Sequence, residues 1–256
     1  MKARHMLAPL LAIGLLAGCT VVPAATPAAV TKRVAAQPRE GTPVVLDAGT
    51  VVATGPLTSV DGLTTGDVAV TALGDGEFEV VISHWSSPVD ADIIANLSSE
   101  PFTEESYCAS GFMTLVLDHL ALGPTVTSAI NFTDITLGNP DFLDTLVLTL
   151  NDANASRTGC FYPVLATAPL TWTMPDLRPD IHVVDHGVTG GATGPVALDD
   201  GEPGSYEVQP DDVLEEIAAR FGLTVAELFY LNPARGKGQQ QLAFTGELFN
   251  LSKSGR

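Results

Sequence analysis

Between Val44 and Trp172 the chain is written in short apolar or alternating runs, and this punctuation constrains its fold more than any other feature. The runs "EFEVVISHW", "GFMTLVLDHLAL", "SAINFTDITLG", "DTLVLTLND" and "CFYPVLATAPLTW" are rich in Val, Thr, Ile and Phe, and Gly, Pro, Asn or Asp separates them. That texture predicts strands of a sandwich or barrel. Length and apolar content suffice for an independent core. One segment stays open. In "FTEESYCASGFMTLVLDHLAL", Leu115, Leu117, Leu120 and Leu122 fit neither period, so helix and strand remain alternatives there.

The first residues, "MKARHMLAPLLAIGLLAGCT", place Lys2 and Arg4 before an apolar run from Met6 to Ala17. This is the pattern of an export signal, and the run is short of the roughly 20 residues a spanning helix needs. Leu16-Ala17-Gly18-Cys19 resembles the lipobox of bacterial lipoprotein precursors. The resemblance implies cleavage before Cys19 and acylation of its sulfur, with palmitate-type chains holding the protein on the extracytoplasmic face of the cell membrane. An ordinary secretory signal containing a cysteine is the alternative. Thr20 is not the aspartate linked with inner-membrane retention in some diderm bacteria. Residues 19–43, rich in Ala, Pro and Thr, read as a tether that could reach about 80 Å when fully extended.

Charge and cysteine count narrow the function classes. The chain carries 12 Lys+Arg and 30 Asp+Glu; loss of residues 1–18 removes two basic residues and moves the formal net charge from −18 to −20. No basic patch is visible, which argues against nucleic acid as a partner. Of three cysteines, Cys19 is assigned to lipid, leaving Cys108 and Cys160. Outside the cytoplasm these two can form a disulfide, worth roughly 4 kcal/mol in the chain-entropy model, and two buried free thiols are the alternative.

Residues 174–204, "MPDLRPDIHVVDHGVTGGATGPVALDDGEPGS" with Ser205, are dominated by Gly, Pro and Asp and read as a linker. The last fifty residues then form a separate module. Ser205–Gln209 alternates as a half-buried strand, and Pro210-Asp211 turns the chain. Asp212 is placed to N-cap a helix, with Glu215 completing an acidic capping box. Val213, Leu214, Ile217, Ala218 and Phe221 form an apolar stripe, and Gly222 is the expected left-handed stop. Thr224 and Glu227 open a second helix with a capping box, Pro233 ends it, and Leu248 and Leu251 suit a closing strand.

Tyr206, Val208, Asp212, Leu214, Ile217, Ala218, Phe221, Gly222, Leu228 and Asn232 stand in register with the LysM pattern, and Gly246, Leu248 and Phe249 or Leu251 follow its end. The segment 205–252 therefore resembles a LysM domain. The resemblance implies a βααβ fold that binds N-acetylglucosamine-containing glycan, peptidoglycan or a chitin-like strand. The implied groove lies between Pro210-Asp211-Asp212-Val213 and Leu231-Asn232-Pro233-Ala234. Asp212 and Asn232 are assigned more to the fold than to the ligand. Asp211 stands where the family has glycine, Val213 where it has threonine, and Glu247 where it has glutamine. The added negative charge is expected to disfavour an acidic wall polymer.

Parts of the central region, "GPLTSVDGLTTGDVAVTALGDGEFEVVISHW", "DADIIANLSSEP" and "GCFYPVLATAPL", are similar to the DM-thirteen domain, an exported all-β family, although "SPVDAD" replaces its Gly-Pro-Asp. No redox residue is carried over. Asp180, His182, Asp185 and His186 lie close in sequence, but Pro179 and Gly187 oppose the helix that would align two histidines for a metal. "DDGEPG" lacks the spacing of a calcium loop, and His84 and His119 read as strand-edge residues. No nucleophile, phosphate loop or paired carboxylate stands out, so no catalytic residue, metal or cofactor is assigned.

The expectation is a multidomain protein: signal peptide 1–18, tether 19–43, a central all-β sandwich or barrel-like domain 44–173, linker 174–204 and an α+β βααβ module 205–252. Its expected role is non-catalytic anchoring of an envelope lipoprotein to peptidoglycan, with an envelope protein as partner of the central domain. Two alternatives remain. The central domain could carry redox or ligand-binding function, or the protein could be a wall hydrolase or its accessory.

Overall fold

The computed structural model describes residues 41, 43–99, 114–120, 125–131, 138–150, 163–235 and 242–256. The expected signal peptide, nearly all of the tether, the lipidation residue Cys19 and the cysteines Cys108 and Cys160 lie outside the described residues. All described residues belong to one compact unit.

Nine strands form one antiparallel sheet: β1 (Val51–Thr58), β2 (Thr65–Ala72), β3 (Glu77–Ser86), β4 (Ile93–Ser98), β5 (Thr114–Leu120), β6 (Thr125–Asn131), β7 (Thr145–Leu150), β8 (Val164–Pro169) and β9 (Thr171–Trp172). Their order is β5-β4-β7-β8-β1-β2-β3-β6, with β9 on β1. This is a β-rich body made of one continuous sheet, so the barrel-like half of the expectation describes it and a two-sheet sandwich does not. Within the segment left open between helix and strand, Thr114–Leu120 is strand β5.

Pleat and register explain the core. Val68, Val70 and Ala72 of β2 alternate inward and sit opposite Ile82, Val80 and Phe78 of β3. Ile93 and Leu97 of β4 join the same cluster although β4 lies near the far end of the strand order. A flat sheet could not bring them together, so the sheet curls into a half-barrel around these side chains. Its outermost strands, β5 and β6, approach each other. Each large aliphatic side chain enclosed this way contributes on the order of 2 kcal/mol.

A second core gathers Tyr206, Val208, Leu214, Ile217, Phe221, Leu228, Leu231, Phe249 and Leu251. Strands β10 (Val196–Asp199), β11 (Glu202–Glu207) and β12 (Leu248–Asn250) make an antiparallel sheet in the order β10-β11-β12. Between β11 and β12 lie helices α1 (Leu214–Arg220) and α2 (Val225–Tyr230). Thr224 and Glu227 form the expected reciprocal capping box of α2. Gly222, at φ +71°, takes the left-handed turn after α1. In β12 the inward residue is Phe249, and Leu248 is 66% exposed. Period-2 alternation pairs Phe249 with Leu251 on the core side.

Two expectations of this region need correction. The N-cap of α1 is Val213, with no side-chain bond, and the box with Glu215 is not formed because the Asp212 carboxylate is engaged elsewhere. Residues 174–204 also do not hang free. Ile181 and Ala192 are buried in the second core, with Val183 and Val196 packed on it. Asp200 and Gly201, at φ +48° and +90°, make the two-residue turn of the β10–β11 hairpin, which is what an Asp-Gly pair favours.

Three acids of that stretch are ion-pair partners. Arg178, only 2% exposed, donates to Asp180 through two bonds and to the α2 cap residue Glu227 at 2.7 Å. Asp185 receives two bonds from Arg220, and Asp176 pairs with Lys253 at 2.8 Å. A composition typical of linkers here supplies turns and counter-charges.

Candidate functional site

The first expected glycan loop, Pro210–Val213, is built around a buried carboxylate. Asp212 accepts from the Tyr206 hydroxyl at 2.5 Å, from the Gln209 amide at 2.7 Å, and from the Thr193 amide and hydroxyl at 2.8 and 3.0 Å. Burial pushes this carboxyl up, but the bonds from Tyr206, Thr193 and Gln209 outweigh it and hold the group below the ordinary carboxylate range. Burial, followed by the bond to Asp212, pushes the Tyr206 hydroxyl up to about 12. Arg220 lies 5.5 Å over the Tyr206 ring and donates to the carbonyls of Ala192 and Gly194. With Asp212 fastened, Pro210, Asp211 and Val213 face outward. Asp211 holds φ +69°, a conformation for which glycine is the easier residue.

The second loop, Leu231–Ala234, is tied by an asparagine pair. Asn232 donates to the carbonyls of Leu228 and Asn250 at 2.8 Å each, and its oxygen accepts the Asn250 amide at 2.7 Å. Asn250 returns a bond to the Leu231 carbonyl at 2.8 Å. Every polar atom of the Asn232 side chain is thus committed to joining α2 to β12. Leu231 and Pro233 are buried, and Ala234 is exposed.

The bases of the two loops meet at Glu247. Its carbonyl accepts the Val208 amide at 2.9 Å, just before the first loop. Its carboxylate takes two bonds from Arg235, just after the second, at 2.5 and 3.1 Å. The Arg235 guanidinium also lies 4.9 Å over Phe249 and 5.3 Å over Phe229. The charge that Glu247 adds is therefore neutralised in place, contrary to the free negative charge expected from sequence.

A cleft of about 510 Å³ opens beside the second loop. Leu231–Arg235, Glu247 and Leu248 line one wall, and Asp141, Phe142 and Asp144 of the β body line the other, with Arg256 between them. Pro210–Val213 lie outside its lining. The walls are locked across the Tyr230 ring. Asn139 donates to the Tyr230 hydroxyl at 3.1 Å, and Arg256 stacks 4.0 Å over the ring while pairing with Asp141 at 2.8 Å. Asp141, Asp144, Arg235 and Arg256 were not singled out from sequence. They come from segments far apart in the chain, and no motif spacing connects them. Of the candidate metal residues, Asp180 and Asp185 are held by arginines, and the His186 amide donates to the Arg220 carbonyl at the end of α1.

Compared with protein-family models, with curated proteins and with solved structures, the chain matches none.

Proposed function

We propose that this is a cell-envelope lipoprotein, anchored by lipid at Cys19 and binding N-acetylglucosamine-containing glycan, in practice peptidoglycan, through a C-terminal LysM-like module. The role is anchoring or scaffolding without chemistry of its own, and the β body is a spacer or partner-binding unit. One observation carries the reading. The residues that fit the LysM pattern, Tyr206, Val208, Leu214, Ile217, Phe221 and Leu228, gather in one core between two antiparallel strands and two helices. Of the two loops that the pattern assigns to sugar, the first exposes Pro210, Asp211 and Val213 and the second exposes Ala234, while Leu231 belongs to the core.

The groove suits a neutral sugar better than a charged one. Val213, 45% exposed, together with Pro210 and Ala234, supplies small apolar surfaces for sugar faces. Acetamido groups find partners along exposed backbone. Asp212 and Asn232 hold the loops in shape and have little capacity left for a ligand.

Co-sedimentation of the chain from Thr20 onward with purified sacculi tests this function. The expected result is binding that survives salt and is competed by chitin oligomers. A protein that stays in the supernatant at every salt concentration overturns it.

A further inference from the structure

The cleft between the body and the module holds three carboxylates and two guanidiniums. Glu247 is matched by Arg235 and Asp141 by Arg256, both at hydrogen-bonding distance. Asp144 is the one left over. Among the described residues its carboxylate has no hydrogen-bond or ionic partner, although it sits on the cleft wall and its residue is exposed. The cleft wall still strips some water from the carboxyl, and with no compensating donor this raises its affinity for a proton. An unpaired anion in a cleft whose other charges cancel favours a cation.

The rest of the cleft has the make-up of a sugar site. Its volume lies within the roughly 300–1,000 Å³ usual for ligand clefts. Leu248, 66% exposed, and the exposed Ala234 offer apolar surface at the loop assigned to the glycan. Arg256 and Asn139 clamp Tyr230 between the walls, so the cleft is formed before any ligand arrives. A strand lying along Leu231–Ala234 passes directly into it.

Resting on the glycan-binding reading above, we infer that this cleft is a second subsite in which Asp144 of the β body receives a primary ammonium carried by the glycan. Two sources supply that chemistry: a glucosamine that has lost its acetyl group, or the free side-chain amine of a stem-peptide diamino acid. The β body is then part of the recognition surface, and the protein distinguishes amine-bearing strands from fully acetylated or amine-blocked ones.

Calorimetric titration of the chain from Thr20 onward tests this. The ligands are a fully acetylated chitin tetramer, the corresponding glucosamine tetramer, and a muropeptide with its stem amine free or acetylated. The expected preference is about two- to fivefold at low salt for one amine-bearing member over its blocked partner. Whichever pair shows it identifies the source. Asp144→Asn brings that ligand down to the blocked level, and Asp144→Glu restores the preference. Asp144 makes no bond that the asparagine would break, and an unchanged melting temperature verifies the fold. If blocked ligands bind but neither pair shows a preference, or if Asp144→Asn keeps it, the inference falls while the glycan reading stands. If neither the acetylated tetramer nor sacculi bind, that reading fails. The subsite then survives only where an amine-bearing ligand still binds through Asp144.

Discussion

Arg235 and Glu247 form a salt bridge of 2.5 Å whose arginine side chain is only 6% exposed. The pair joins the end of one expected glycan loop to the strand that supports the other. Glu247→Gln leaves the guanidinium enclosed between Phe229 and Phe249 without its counter-charge. The expected loss is about 2–4 kcal/mol of unfolding free energy, read by urea denaturation. The glutamine that the LysM pattern carries at this position is therefore expected to weaken this region.

Asp212, Asp180 and Asp185 all hold carboxyls below their ordinary range. For Asp180 and Asp185 the first cause is hydrogen bonding from Arg178 and Arg220; for Asp212, bonds from Tyr206, Thr193 and Gln209 outweigh burial. Depressed carboxyls stabilise the fold above their unfolded values near pH 4, and this contribution disappears as pH falls through that range and below. Tyr206 acts at the other end. Its raised value protects the fold below pH 10, and the protection is lost as pH rises towards about 12. Urea midpoints measured against pH should decline on both sides, and Asp212→Asn should flatten the acid limb.

Arg178 distinguishes a free linker from a packed strap. Its guanidinium pairs with buried Glu227, so Arg178→Ala leaves that carboxylate uncompensated and should cost about 3–5 kcal/mol by chemical denaturation. A residue in an unattached linker would change stability by less than about 0.5 kcal/mol.

Asp211 tests the turn itself. At φ +69°, Asp211→Ala should destabilise by about 1 kcal/mol, because a Cβ without a polar group gains nothing there. Asp211→Gly should not, and by thinning the loop it should tighten binding to chitin oligomers in the same titration.

Much of this architecture was legible from local chemistry. Short apolar or alternating runs announced β3, β7, β8 and part of β6 in the body, and helical spacing with Thr224, Glu227 and Gly222 announced both helices, the start of α2 and the end of α1. Such signals operate within a turn or a pleat, so neighbouring residues carry them. Asp212 could not be read correctly this way, because its donors include Thr193, nineteen positions upstream. The Asp-Gly turn of the β10–β11 hairpin was a local signal, but the surrounding Gly, Pro and Asp masked it as linker composition.

The sequence by itself determined the strand-rich body, the helix pair with the capping box of α2, and most positions facing the second core, though not Val213 and Leu248, which are exposed; these follow from backbone periodicity and side-chain solubility. Only the tertiary structure decided that one sheet would curl, that Arg178 would strap residues 174–204 to α2, and that Asp144 would stand across a cleft from Glu247 with no partner for its carboxylate among the described residues. Those outcomes depend on which distant groups meet after collapse. Burial, counter-charge and open space are properties of that meeting and are not written at any single position.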